Sequence, residues 1–193
     1  MTNNLTKELF SEIYPLPDQA YAKLNGILRP RLIPKNEIFM RVMQRNASEY
    51  FILEGFCRSF LVNPEGEEIT LAFFKRGNAL SPHITRTKDN RSLMNFQALT
   101  DVELMEFNSV EFLELMIANM DLRNFGNEIL KNELVSKTNK EIALASLTAK
   151  ERLRDFRNEY GILENLIPHP IIASYLGITN VSLSRLRGES KNK

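Results

Sequence analysis

Thr179, Asn180, Ser182, Ser184, Arg185 and Arg187 crowd into nine residues that carry hydrogen-bonding groups and no acid. Hydroxyls, an amide and guanidinium groups in that density can hold phosphate oxygens and reach base edges. A solvated helix face ordinarily mixes both signs of charge, and a face that meets a polyanion excludes carboxylates. A helical hairpin packed into a core is the plainer reading. It accounts for the apolar residues around this set but leaves the set itself unexplained.

The elements that must position these residues are legible around them. Pro170 suits the first turn of a helix, because its ring fixes φ and its missing N–H is one that a helix start leaves unpaired. Ile172, Leu176, Ile178, Leu183 and Leu186 fall where two short helices crossing steeply would bury apolar side chains, and Ala173 is small enough for the axes to approach. Gly177 supplies the turn between them, since glycine adopts positive φ without steric cost. Thr179 can cap the second helix with its hydroxyl; Ser182 at the third helical position makes no reciprocal box. The stretch therefore predicts a helix-turn-helix that presents Thr179, Asn180, Val181, Ser182, Ser184, Arg185 and Arg187 to double-stranded DNA.

With 193 residues the chain can bury a sizeable core, in one large domain or two small ones. No apolar run approaches the ~20 residues needed to cross a bilayer, and the start of the chain lacks the apolar centre of a signal peptide. A cytoplasmic location with no membrane partner is expected. Cys57 is the single cysteine, which excludes an intrachain disulfide framework, and His83 and His169 stand apart from clustered thiols or carboxylates, so no metal site is expected. The net charge of +1 is unevenly spread: from Lys150 onward eight Lys and Arg face five Asp and Glu, leaving the preceding residues net negative. The excess positive charge accompanies the helix-turn-helix.

Two short helices are expected at residues 5–13 and 18–24, with Asp18 capping the second and Gly26 just beyond its end. Short β-rich runs follow at 37–43, 49–53, 57–62, 68–74, 93–99 and 102–107, and Pro64-Glu65-Gly66 joins two of them in a hairpin. Such spacing points to an antiparallel sandwich or jelly roll rather than a parallel sheet. Periodicity lapses between Gly77 and Arg91, as in a long loop, which can be either a binding element or plain surface. A helix at 109–119 precedes a longer one opened by Asp121, with Leu122, Phe125, Ile129, Leu130, Leu134, Ile142 and Ala145 along a stripe. Running to Leu147, it would be ~40 Å long and would need a partner along part of its length. Thr148-Ala149-Lys150-Glu151 is a capping box that opens another helix, with Gly161 as its stop. The expected organisation is a sensor domain at 1–120, a dimerisation helix at 121–147 and a DNA-binding domain at 148–193.

That order of parts resembles the cyclic-AMP receptor protein and Fnr (Crp/Fnr) family of bacterial transcription regulators. The resemblance spans essentially the whole chain. It rests on residues 171–179 with Leu183-Ser184-Arg185-Leu186-Arg187, and on Tyr50-Phe51-Ile52-Leu53-Glu54-Gly55. It implies an α+β protein: an antiparallel β-roll of the cyclic nucleotide-binding kind, a long dimerisation helix, and an all-α helix-turn-helix domain. The chain ends soon after Arg187, so a wing following the recognition helix is expected to be reduced or absent.

The resemblance implies a homodimer, a small-molecule effector in the roll and RNA polymerase as a further partner. It makes Arg185 the base-reading arginine, with a bidentate bond to guanine O6 and N7, and Thr179 and Ser182 phosphate contacts. Val181 departs from the family's glutamate at that position and offers only apolar contact. Arg91 and Ser92 match the Arg-Ser pair that holds a cyclic phosphate. Where the family has a ribose-binding glutamate, this chain has Ser81-Pro82-His83. Cyclic AMP is therefore not expected, no cofactor is assigned, and an apolar ligand among Phe74, Leu80, Ile84, Met94 and Phe96 is one option, core packing being the other. A small-molecule-binding module whose helix-turn-helix is vestigial or faces a protein is the alternative reading. With no nucleophile beside a histidine, no paired-carboxylate motif and no phosphate-binding glycine loop, an enzyme is not expected.

Overall fold

The computed structural model describes residues 2–191. In chain order the elements are α1 (Thr2–Ile13), α2 (Asp18–Ile27), β1 (Arg29–Ile33), β2 (Ile38–Met40), β3 (Ser48–Glu54), β4 (Phe56–Val62) and β5 (Glu68–Lys75). Then come α3 (His83–Arg86), β6 (Thr87–Lys88), β7 (Arg91–Ser92), β8 (Asn95–Ala98), β9 (Val102–Asn108), α4 (Ser109–Ala118) and α5 (Met120–Ser146). The C-terminal helices are α6 (Ala149–Tyr160), α7 (Leu163–Leu166), α8 (His169–Leu176) and α9 (Asn180–Lys191).

The fold is α+β, a β-roll followed by a helical C-terminal region. One sheet has strand order β1-β9-β3, another β2-β8-β4-β5, and β6 and β7 form a small ribbon. The pairs β1–β9 and β3–β9 are antiparallel, with Phe51 opposite Met105. Strand β3 buries Tyr50, Phe51, Ile52 and Leu53 in succession, because both of its faces are covered.

The chain forms two compact units. The first contains the described residues up to Cys57 together with Phe74–Val135; the second contains Arg58–Phe73 and the described residues from Ser136 onward. In the first, Phe10 packs edge-on against Phe51 at 4.5 Å between ring centres, and Phe10, Leu24, Leu122 and Phe125 are nearly or wholly excluded from solvent. In the second, Phe73 of β5 stacks among Phe156, Tyr160 and Tyr175, at 4.7 Å from Tyr175.

Several local expectations are modified. Pro17, not Asp18, precedes the first turn of α2, and Asp18 is ion-paired with Lys7; Gly26 lies inside that helix. The side chain of Asn119 accepts from the Leu122 N–H at 3.0 Å and takes the capping role expected of Asp121. Along α5, Leu122 and Phe125 are buried while Leu134 and Ile142 remain exposed. The irregular stretch after Gly77 contains α3 and the β6–β7 ribbon. Of the five residues considered for a pocket, Phe74, Leu80 and Phe96 are packed in the core and Ile84 is exposed.

Candidate nucleic-acid interface

Helix α8 ends at Gly177, whose φ of 66° and ψ of 37° lie in the left-handed region and turn the chain sharply towards α9. Its N–H reaches the carbonyls at the end of α8, and the Ile178 N–H bonds Ala173 O at 3.0 Å. A remaining terminal carbonyl, that of Leu176, accepts from Arg152 Nε at 2.8 Å, while Arg152 Nη1 donates to Leu147 O at 2.6 Å. One guanidinium thus ties the end of α5, the start of α6 and the turn together. The Thr148–Glu151 capping box is formed in full and fixes the start of α6.

Ile172, Ala173, Leu176 and Leu183 are buried, giving α8 and α9 a common apolar side. Thr179 accepts from the Ser182 N–H at 3.2 Å and its hydroxyl lies 3.0 Å from that of Ser182, so it caps α9 as its spacing predicts. Thr179, Asn180, Val181, Ser184 and Arg185 are exposed, and Ser182 is half-buried; Val181 is 80% exposed. These residues share the N-terminal half of α9 and the turn before it, with no acid among them.

Arg187 is placed differently. Its Nε donates to Glu164 Oε1 at 2.8 Å, and Glu164 also accepts from Arg157 Nε and Nη2, each at 2.8 Å. Two arginines therefore flank one largely buried carboxylate, and they hold it below the ordinary carboxylate range. Arg157 is raised in turn by its bond to Glu164. This brace between α6, α7 and α9 was not anticipated from sequence, where Glu164 is an isolated acid in a short turn.

The Arg-Ser pair of the roll is also committed internally. Arg91 Nη1 donates to Met43 O at 3.0 Å, and Ser92, fully buried, donates to Met94 O at 2.6 Å. Ser81 donates to Glu133 Oε1 at 2.8 Å. Ser92 is therefore engaged in a local turn, while Arg91 uses one of its five N–H donors, and Ser81-Pro82-His83 stands where the family's ribose-binding carboxylate would be.

A different polar cluster occupies the same region. Arg86 is buried, stacks over the Tyr50 ring at 5.3 Å, donates to Asn46 Oδ1 at 2.8 Å and to the Ser48 carbonyl, and keeps Nε without a hydrogen-bond partner. Glu49 accepts from the His83 N–H through both oxygens, at 3.0 and 2.9 Å. Burial pushes its carboxyl up to about 7 against the opposing pull of Arg86. His83 is lowered, chiefly by burial. The one sequence signal for this cluster is an acid heading the buried run Tyr50–Leu53. Among the described residues no group of three or more His, Cys, Asp or Glu could hold a metal ion, and no helix is long and apolar enough to cross a membrane.

Residues 30–119 match the family model of the cyclic nucleotide-binding domain. Solved structures with the same fold include FixK2 from Bradyrhizobium japonicum, at 17% identity and TM-score 0.73, covering 86% of this chain and 85% of that one. Another is CLP, the c-di-GMP responsive global regulator of Xanthomonas campestris, at 15% identity and TM-score 0.70, covering 91% and 92%. A third, from Eubacterium rectale and assigned to the Crp/Fnr family of transcriptional regulators, has 17% identity and TM-score 0.70, covering 91% and 85%. No curated protein matches the sequence significantly. The chain shares the fold of these structures, a β-roll followed by a helical C-terminal region, and the roll contains the stretch that matches the cyclic nucleotide-binding domain.

Proposed function

We propose that this chain is a cytoplasmic transcription regulator, not an enzyme, that binds a two-fold symmetric operator as a homodimer and is modulated by a ligand in its β-rich unit. The observation that carries the reading is the exposed, acid-free start of α9, from Thr179 to Arg185, held behind a left-handed turn at Gly177. Helix N-termini with hydroxyl and amide side chains hold phosphates, and an exposed arginine one turn further on can reach a base edge. Arg185 reads a guanine, Thr179 and Ser182 hold backbone phosphates, Asn180 and Ser184 flank them, and Val181 offers a methyl-sized apolar contact. Arg187 supports α9 from behind through Glu164.

The exposed residues Leu134 and Ile142 of α5 support pairing of two copies along that helix, which would set two recognition helices about 34 Å apart. The effector is not cyclic AMP on this reading, given Ser81-Pro82-His83 in place of a ribose-binding glutamate and the burial of Ser92 in a local turn. RNA polymerase is the downstream partner.

Selection of bound duplexes from a random-sequence pool by the purified protein, followed by affinity against salt for the selected site, tests the reading. The expected result is a palindromic consensus whose affinity falls steeply with salt. Failure to enrich any sequence, with or without ligands that stabilise the protein, would sink it in favour of a small-molecule-binding module.

A further inference from the structure

The first unit contains a cavity of about 560 Å³ between β3, the α3 segment, α4 and α5. Ordinary protein interiors contain few voids larger than a water molecule, whereas ligand cavities run to roughly 300–1,000 Å³. Its deep wall is aromatic and aliphatic, with Phe10, Phe51, Phe112, Phe125 and Ile129. Its mouth is apolar too: Ile84, Val110 and Leu113 line it and are 76%, 57% and 51% exposed.

Gly126 shows how the space is kept. It sits inside α5 on the cavity wall, where a Cβ would lie 2.3 Å from Met116 Sδ, and Met116 lines the same cavity. Glycine within a helix is less stable than alanine, so its presence here costs helix stability. An alanine here would drive the thioether into the open volume.

The ionisable side chains among the lining residues are Glu49, His83 and Asp89, and no lysine or arginine is among them. Glu49 faces the backbone N–H of His83, with Arg86 behind it outside the cavity. A carboxylate or phosphate ligand would enter an apolar space beside two acidic residues, with no lysine or arginine on the wall to compensate it and with His83 held towards its neutral form by burial. A hydroxyl or amide donor would find an acceptor in Glu49.

We infer that this cavity binds an apolar small molecule bearing a hydrogen-bond donor and no negative charge, with its chain among Phe51, Phe112 and Phe125 and its donor on Glu49. This gives the regulator reading its effector class, yet the binding itself requires no DNA and is measured without it. Failure of DNA selection would leave this inference standing, and the converse holds as well.

The test uses the full chain and the neutral fluorophore 1-aminoanthracene, displaced by decan-1-ol or by decanoate, which share a chain and differ in the head. The expected result is saturable binding of the fluorophore, with decan-1-ol displacing it at a concentration about tenfold or more below decanoate. Gly126→Ala and, at the exposed mouth, Leu113→Trp should each weaken fluorophore binding severalfold, and Glu49→Gln should narrow the alcohol-to-acid ratio. No binding to the folded wild-type protein, or displacement by decanoate at concentrations equal to or below those of decan-1-ol, would overturn the inference. So would unchanged fluorophore affinity in a folded Leu113→Trp protein.

Discussion

Ser174 Oγ lies 3.1 Å from the backbone N of Thr70 and 3.0 Å from its hydroxyl, joining the first helix of the helix-turn-helix to a strand 104 residues away in sequence. Thr70 is buried, and Arg58 Nη1 donates to its hydroxyl at 3.3 Å. The β4–β5 hairpin is thus bonded to α8 within the second unit, and Lys140, 4.0 Å over the Tyr175 ring, adds a bond to Thr70 O at 3.3 Å.

Ser174→Ala removes the acceptor for a buried N–H without creating a large void. Leaving such a group unsatisfied costs roughly 1–3 kcal/mol. The midpoint of urea unfolding should fall accordingly. An unchanged midpoint would mean that water replaces the hydroxyl and that the hairpin is not secured through this bond.

Arg185 and Arg187 are two residues apart but should fail differently. Arg185 is exposed, so Arg185→Ala should leave the melting temperature unchanged and cost roughly 1–3 kcal/mol of affinity at the preferred operator, with relaxed preference at one base pair. Arg187→Ala takes one of two cations from Glu164, whose side chain is 13% exposed, and should lower the melting temperature. DNA titration and thermal melts of both variants separate the roles; equal melting temperatures with equal losses of affinity would contradict the division.

Glu49 makes stability depend on pH. Its carboxyl is pushed up to about 7 by burial, so the folded state keeps a proton that the unfolded chain releases above about 4.5. The stability this contributes is fully present below the unfolded value and is lost as pH rises through about 7. Glu49→Gln keeps an acceptor for the His83 N–H and cannot ionise. The difference in melting temperature, variant minus wild type, should grow between pH 4.5 and 7 and level off above. A difference that stays flat would show that Arg86 already compensates the carboxylate.

Local rules made much of the fold readable. Gly177 stood between two apolar patterns, Thr148 and Glu151 had capping-box spacing, and Pro64-Glu65-Gly66 separated two strand-like runs. Each needs only a few neighbouring residues. The brace at Glu164 joins residues 7 and 23 positions away, and the Glu49–Arg86 cluster depends on the fold of the α3 segment, so neither leaves a periodic trace. The five residues weighed between a pocket and core packing divide for the same reason: Phe74 and Phe96 pack against each other at 6.0 Å in the core, whereas Ile84 lines the cavity. Apolarity in a strand signals burial without saying what is buried against it.

Gly55 and Gly177 share a left-handed backbone, with φ of 90° and 66°, and differ in what surrounds them. A Cβ on Gly177 would lie 3.2 Å from Leu144 Cδ2, the end of a side chain that can rotate away. Gly177→Ala should therefore cost little beyond the conformational penalty, roughly 1–2 kcal/mol. On Gly55 the Cβ would lie 2.3 Å from the Asp101 carbonyl oxygen and 2.9 Å from Thr100 Oγ1. That oxygen is backbone just before β9, the central strand of its sheet, and cannot yield without moving the strand. Gly55→Ala should cost more than about 3 kcal/mol, adding displacement of β9 to the same φ penalty. Urea unfolding of the two variants measures the gap. Equal losses would show that backbone handedness alone, and not the close approach of Asp101, requires glycine at position 55.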